Sequence, residues 1–224
     1  QAELYETRKS EIRNYILEGT QKYGMDKMYM VILSGLMRLR LIANHPIINE
    51  KAYDGQSGKF NEVRENIEKV IGGGHKALIF SQFVKHLSIY QSYLESKNIP
   101  HLMLTGQSSS QKREKMIQEF QNSDKYPVFI ISLKAGGVGL NLTAADFVFM
   151  LDPWWNPAVE QQAINRTHRI GQDKKVISYK FITQGTIEEK ILALQQKKTD
   201  LFNTIINNKT IKSFSEEEIQ ELLS

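Results

Sequence analysis

Residues 128–141 read VFIISLKAGGVGLN. The first five, Val128–Ser132, are apolar and β-branched or aromatic up to the closing serine, which suits a strand buried on both faces. KAGGVGLN follows with no intervening loop. Gly136, Gly137 and Gly139 let the backbone approach an anion closely and turn its N–H groups outward. Lys134 and Ser132 add a charge and a hydroxyl. A dinucleotide-binding turn needs a third glycine where Leu142 stands, so only the first pair of that fingerprint is present. In open α/β sheets ligands collect outside the carboxyl ends of the strands. This stretch therefore predicts a parallel α/β lobe with a phosphate-handling turn at one edge.

The surrounding texture agrees. Apolar runs at 76–80, 101–105, 146–151 and 176–182 predict four more strands, and amphipathic patterns at 84–97, 109–121 and 157–168 predict helices between them. Strands alternating with helices argue for a parallel sheet covered on both faces. Ser108-x-x-Gln111 offers a capping box for the second of those helices. Upstream, residues 2–41 carry a helical period in two segments, stopped at His45-Pro46. The stretch 49–58 is polar and turn-rich, and 59–71 predicts a helix. Downstream, Thr186-x-x-Glu189 opens a long helix, and the tail 213–224 is acidic. The expected division is a helical arm and hinge over 1–58, an α/β lobe over 59–195, and a brace helix with acidic tail over 196–224.

Composition bounds the function. The chain has 224 residues, a net charge of +4 and a hydrophobic fraction of 41%, ordinary for a globular protein with one good-sized core. The mild positive charge permits contact with an acidic polymer without demanding it. There is no cysteine, so disulfides and thiolate metal sites are excluded. No apolar run approaches the roughly 20 residues that span a bilayer. His45, His75, His86, His101 and His168 show no metal-ligand spacing. No metal site is expected. The start lacks methionine and a secretory signal, which predicts an excised piece of a longer intracellular chain, cytoplasmic or nucleoid if bacterial, nuclear if eukaryotic.

Further chemistry clusters downstream. Residues 161–172 read QQAINRTHRIGQ and set Arg166 and Arg169 three apart, on one face of a helix. Two guanidinium forks there can converge on phosphate oxygens, or form a basic helix end that complements the dipole. Asn156-Pro157 reads as the turn entering that helix. Just before it, Asp152, Trp154, Trp155 and Asn156 stand in DPWWNP, residues 152–157, which holds both tryptophans of the chain. That loop is either a plug under the helix or a rigid coupling element. The remaining expected strand ends, Ser81-Gln82 and Thr105-Gly106, complete a polar rim along one sheet edge. Arg113 reads as structural or as a backbone contact.

Four of these segments occur in a known order. ALIFSQF at 77–83, ISLKAGGVGLNLT at 131–143, DPWWNP at 152–157 and HRIGQ at 168–172 resemble motif IV, motif V, the joining segment and the last helicase motif of the Snf2 (SWI2/SNF2) family of ATP-dependent DNA translocases. The resemblance is strong over 76–198 and looser back to LMRLRLIANHP at 36–46. Asn165 stands where the family usually has aspartate, removing a charge beside the arginines. The resemblance implies a RecA-like lobe of the P-loop-NTPase type, with a helical arm before it and a long helix after it. It implies that Arg166 and Arg169 act as arginine fingers, and that Gly137, Gly139 and Gln172 face ATP. It implies that Ser132, Lys134, Ala135 and Gly136 touch the backbone of double-stranded DNA. Ser81, Gln82, Thr105 and Gly106 are candidates to hold the same strand with little base preference, or are plain strand-end and turn residues. The resemblance gives Asp152, Trp154, Trp155 and Asn156 a coupling role.

The phosphate-binding G-x-x-x-x-G-K-[ST] and an acidic D-E-x-H motif occur nowhere in the chain. They belong to the first RecA-like lobe of such enzymes, which the resemblance makes the partner of this one and the main holder of Mg²⁺. The expected function is the second motor lobe of a DNA-dependent ATPase that translocates on duplex DNA and remodels protein–DNA complexes, inactive when isolated. A non-enzymatic DNA-binding or docking module and the lobe of a strand-separating helicase are the competing classes.

Overall fold

A computed structural model describes residues 1–136, 141–165, 175–204 and Leu222. In chain order these form α1 (Ala2–Tyr23), α2 (Met25–Asn44), a 3-10 turn (Pro46–Ile48), α3 (Gly58–Gly72), β1 (Ala77–Ser81), α4 (Val84–Ser96) and β2 (His101–Leu104). There follow α5 (Ser110–Asn122), β3 (Val128–Ser132), a short α6 (Leu133–Gly136), β4 (Phe147–Met150), α7 (Pro157–Ile164), β5 (Ile177–Lys180) and α8 (Ile187–Thr204). Two compact units result: Lys59–Ile182, and Gln1–Gly58 with the described residues of Thr183–Ser224.

The α/β unit is built on five described strands in the order β2-β3-β1-β4-β5, every pair parallel. All five fall where the apolar runs predict them, β3 with the same bounds and the others with ends shifted by at most two residues. Alternate residues supply two cores. Leu78, Phe80, Phe129, Ile131, Val148 and Met150 face one side, where Met116 and Phe120 of α5 cover them. Ala77, Ile79, Val128, Ile130 and Phe149 face the other, under Val63 and Ile67 of α3 and Leu87, Tyr90 and Leu94 of α4. Phe80, Phe129 and Phe149 are fully buried, each stabilising the fold by roughly 1.5–3 kcal/mol relative to exposure. β5 is exposed along its length, as an edge strand is. On the α3 and α4 side, burial pushes the Tyr93 hydroxyl up to about 12, and its O–H donates to Glu68.

Two local details depart from the sequence reading. The cap of α5 is Ser109, whose hydroxyl accepts from Lys112 N at 3.3 Å, one residue after the serine expected. A helical turn also forms at α6, where the sequence reads as a glycine loop. It begins as β3 ends, and the Ser132 hydroxyl accepts from Ala135 N at 3.4 Å, an N-cap-like bond the texture alone does not advertise.

In the other unit, α1 and α2 fold back on each other around Gly24, whose φ of 80° favours glycine. A Cβ at Gly35 would lie 2.6 Å from Ile12 Cγ2, so the helices touch backbone to side chain there. The hairpin is pinned at its open end by Gln1 Nε2 on Ile42 O at 3.0 Å. Arg8 and Arg38 both donate to Glu50, which holds that carboxyl below its ordinary range. The start of α8 docks on the same unit, with Ile187 N donating to the Tyr5 hydroxyl at 2.7 Å and Thr183 Oγ1 to Ala43 O at 2.9 Å. Burial raises the Tyr5 hydroxyl well above its usual value. Thr186 caps this helix through Glu188 N at 3.2 Å, and Glu189 accepts from Gly185 N at 2.8 Å, so each bond falls one residue away from the Thr186–Glu189 box expected.

Candidate functional site

Because every described strand runs the same way, their carboxyl ends share one edge. Ser81 is level with Ser132, Phe80 with Met150, Ile131 with Leu104 and Met150 with Lys180. The turns after β1, β2, β3 and β4 therefore emerge side by side. Ser81-Gln82, Thr105-Gly106, the α6 turn and Asp152 gather there although as many as 71 residues separate Ser81 from Asp152.

Asp152 organises the middle of that edge. It is 1% exposed, and a buried carboxylate needs donors to offset its lost hydration. The Ser81 hydroxyl donates to it. Gln82 donates twice to its other oxygen, from the backbone N at 3.2 Å and from Nε2 at 2.9 Å. His86 Nδ1 lies 4.0 Å away, itself fully buried. Ser81 in turn accepts from Phe83 N at 3.0 Å, the residue that opens α4. The end of β1, the start of α4 and the exit from β4 thus share one polar knot. Lys59 Nζ, almost fully buried, donates to Leu151 O at 2.8 Å and ties α3 to the same exit.

The joining loop continues from Asp152. Trp154 packs its half-buried ring against the α5-side core, and Trp155 is half-buried as well. Asn156 is exposed, and its Oδ1 accepts from Ala158 N at 3.0 Å. That is an N-cap, with Pro157 as first helical residue, as Asn156-Pro157 predicts. Glu160 of α7, 1% exposed, reaches back to accept from Trp154 N at 2.6 Å and pairs with Lys180 Nζ at 2.5 Å. At the far end of the described α7, Asn165 Oδ1 accepts from Gln161 Nε2 at 2.9 Å.

The α6 turn is held from outside. Arg113 Nη1 donates to Ala135 O at 3.2 Å, meeting a carbonyl near a helix end. The segment after 137–140 is held by Gln121, which donates to Thr143 Oγ1 at 3.1 Å and accepts from Ala144 N at 2.7 Å. Of the expected DNA-facing residues, Lys134 and Gly106 are exposed, and Gln82 and Thr105 half-buried. Ser81, Ser132 and Ala135 are buried beneath them, and Gly136 closes the turn. Gly137, Gly139, Arg166, Arg169 and Gln172 lie outside the described residues. Among the described residues no group of three or more His, Asp or Glu side chains is placed to hold a metal ion, and no helix is long and apolar enough to cross a membrane.

Sequence reasoning missed Glu160, Lys180, Lys59, Gln121 and His86. Only Glu160 carried a signal, an acidic residue in the first turn of a helix. The others act over long sequence separations.

Comparison with known proteins gives this arrangement a family. The helicase conserved C-terminal domain matches residues 58–171. DNA repair protein RAD5A of Arabidopsis thaliana is 41% identical over 169 residues, covering 75% of this chain, which spans 16% of that protein's length. The solved C-terminal domain of the Sulfolobus solfataricus SWI2/SNF2 ATPase superposes with a TM-score of 0.78 at 33% identity, covering 99% of this chain and 93% of that one. The core of the same ATPase in complex with dsDNA also superposes with a TM-score of 0.78 at 33% identity, covering 98% of this chain and 47% of that one. The five-stranded parallel sheet flanked by helices is that RecA-like lobe. The chain belongs to the helicase conserved C-terminal domain family, as the C-terminal lobe of a SWI2/SNF2-type ATPase.

Proposed function

We propose that this chain is the second motor lobe of a DNA-dependent ATPase that moves along duplex DNA and remodels protein–DNA complexes. The single observation that carries the reading is the gathering of four polar turns on one carboxyl edge, three of them motif-bearing, with the Asp152 knot joining two of them. The relative solved with dsDNA supports a duplex as the polymer.

In this reading Lys134, Gly106, Thr105 and Gln82 form the track for phosphates of one strand, and Gly136 lets the backbone approach. Ser81, Ser132 and Ala135 set the shape of that track from beneath. Such contacts position the protein without reading bases, so sequence preference is weak. Arg166 and Arg169 follow α7 and neutralise charge that develops on the γ-phosphate of ATP, a contribution of roughly 10³–10⁵ in rate for fingers of this sort. Gly137, Gly139 and Gln172 line the nucleotide side. A first RecA-like lobe of the parent protein supplies the phosphate-binding loop and the ligands for Mg²⁺. Among its described residues this lobe gathers no group of three or more His, Asp or Glu side chains for the metal. The Asp152–Asn156 loop couples the track to α7. The proposed division of the chain is arm, lobe and brace, at 1–58, 59–195 and 196–224.

The test is ATP hydrolysis by the parent protein with and without duplex DNA, alongside a strand-displacement assay. Strong stimulation without displacement supports a translocase. Displacement of the strand favours a helicase, and a folded parent with no hydrolysis leaves a binding module.

A further inference from the structure

Glu160 and Lys180 stand on either side of the arginine-bearing segment in sequence. Glu160 belongs to α7, which leads into it, and Lys180 ends β5, which follows it. Their side chains meet at 2.5 Å, and the Glu160 carboxylate also accepts from Trp154 N at 2.6 Å. Glu160 is 1% exposed, whereas the Lys180 side chain is 40% exposed. Three pieces of backbone therefore meet at one carboxylate: the tryptophan loop leaving β4, the first turns of α7, and the last residue of β5.

A helix cap alone does not require this. Asn156 already caps α7 through Ala158 N, and Glu160 reaches past that cap to a loop amide six residues back. Burying a carboxylate is costly unless it is paired and hydrogen-bonded, and here the cost is offset by joining α7 to a neighbouring strand. β5 is itself anchored, because its last residue is level with Met150 in the central part of the sheet. The pair transmits that position to α7.

We infer that Glu160 and Lys180 are positioning residues: their ion pair holds α7 and the Trp154 loop at a set angle to the sheet, and so sets where Arg166 and Arg169 are delivered. The inference rests on the ATPase reading above. Small misplacements of catalytic groups are expensive in rate and cheap in stability, so the pair governs turnover more than folding.

The experiment uses the full parent protein with three variants, Lys180→Ala, Lys180→Arg and Glu160→Gln. Lys180→Ala and Glu160→Gln each lower the DNA-stimulated kcat by roughly tenfold or more, with KM for ATP and DNA affinity within about twofold, and Lys180→Arg keeps most of the rate. In Lys180→Ala, amide exchange at Trp154 and along α7 rises by about tenfold, while β1 and β3 are unchanged. A Lys180→Ala kcat within about twofold of wild type, or exchange at Trp154 and α7 that does not move, overturns the inference. A wild-type parent that hydrolyses no ATP overturns the ATPase reading and the kinetic role together, whereas the exchange of α7 still shows separately whether the pair holds that helix.

Discussion

The Ser81 hydroxyl donates to the Asp152 carboxylate, joining the end of β1 to the exit of β4 inside a site where both residues are at most 1% exposed. A buried carboxylate tolerates few lost donors, and Ser81 also accepts from Phe83 N. Ser81→Ala therefore destabilises the lobe by about 1–3 kcal/mol, and Asp152→Ala by more, since it strands Ser81 and both donors of Gln82. Urea unfolding of the α/β lobe measures this. A change below about 0.5 kcal/mol in Ser81→Ala shows that the knot contributes only shape.

His45 predicts a pH effect in the helical unit. Burial lowers its imidazole below the ordinary value, and its Nδ1 accepts from Ile47 N at 3.3 Å, which requires the neutral ring. The unfolded chain takes up the proton first. Stability is therefore full above about pH 6.5 and is lost as pH falls through the folded value. His45→Asn keeps an acceptor near the same place and removes the titration. The gap in thermal midpoint between wild type and variant should shift in the variant's favour on acidification. A gap that does not change with pH removes His45 from the account.

Much of the fold was legible and the reason is visible in particular residues. VFIIS at 128–132 and ALIFS at 77–81 are apolar up to their closing serines because both strands are central and covered on two sides. Asn156-Pro157 announced the start of α7 because capping and proline geometry are local. The contacts of Lys180, Lys59 and Gln121 were not legible. Lys59 meets Leu151 across 92 residues and Gln121 meets Thr143 across 22, so their partners exist only once the sheet order is set. Ser81 shows the same limit at the site. Its place at a strand end was readable, while its burial beneath Gln82 depends on Asp152 arriving from β4.

Lys134 is exposed on the turn that follows β3, where the proposed track for DNA phosphates runs. Lys134→Ala in the parent protein lowers DNA affinity and reduces the slope of log K against log salt by about one unit. The slope is read from binding titrations at several salt concentrations. An unchanged slope takes Lys134 off the track.

The isolated chain of 224 residues carries no phosphate-binding loop. It should bind duplex DNA weakly and hydrolyse ATP no faster than a blank, and addition of a first RecA-like lobe that carries such a loop should restore turnover. Substantial hydrolysis by the isolated chain would place a complete site within it and contradict the division of labour.

The most direct test of the central claim is steady-state ATP hydrolysis by the parent protein carrying Arg169→Ala, measured at saturating duplex DNA together with DNA affinity. The account predicts a loss of turnover on the order of 10³ or more with DNA binding nearly unchanged. Near-normal turnover would contradict it, and Arg166 and Arg169 would then be no more than the basic end of a helix.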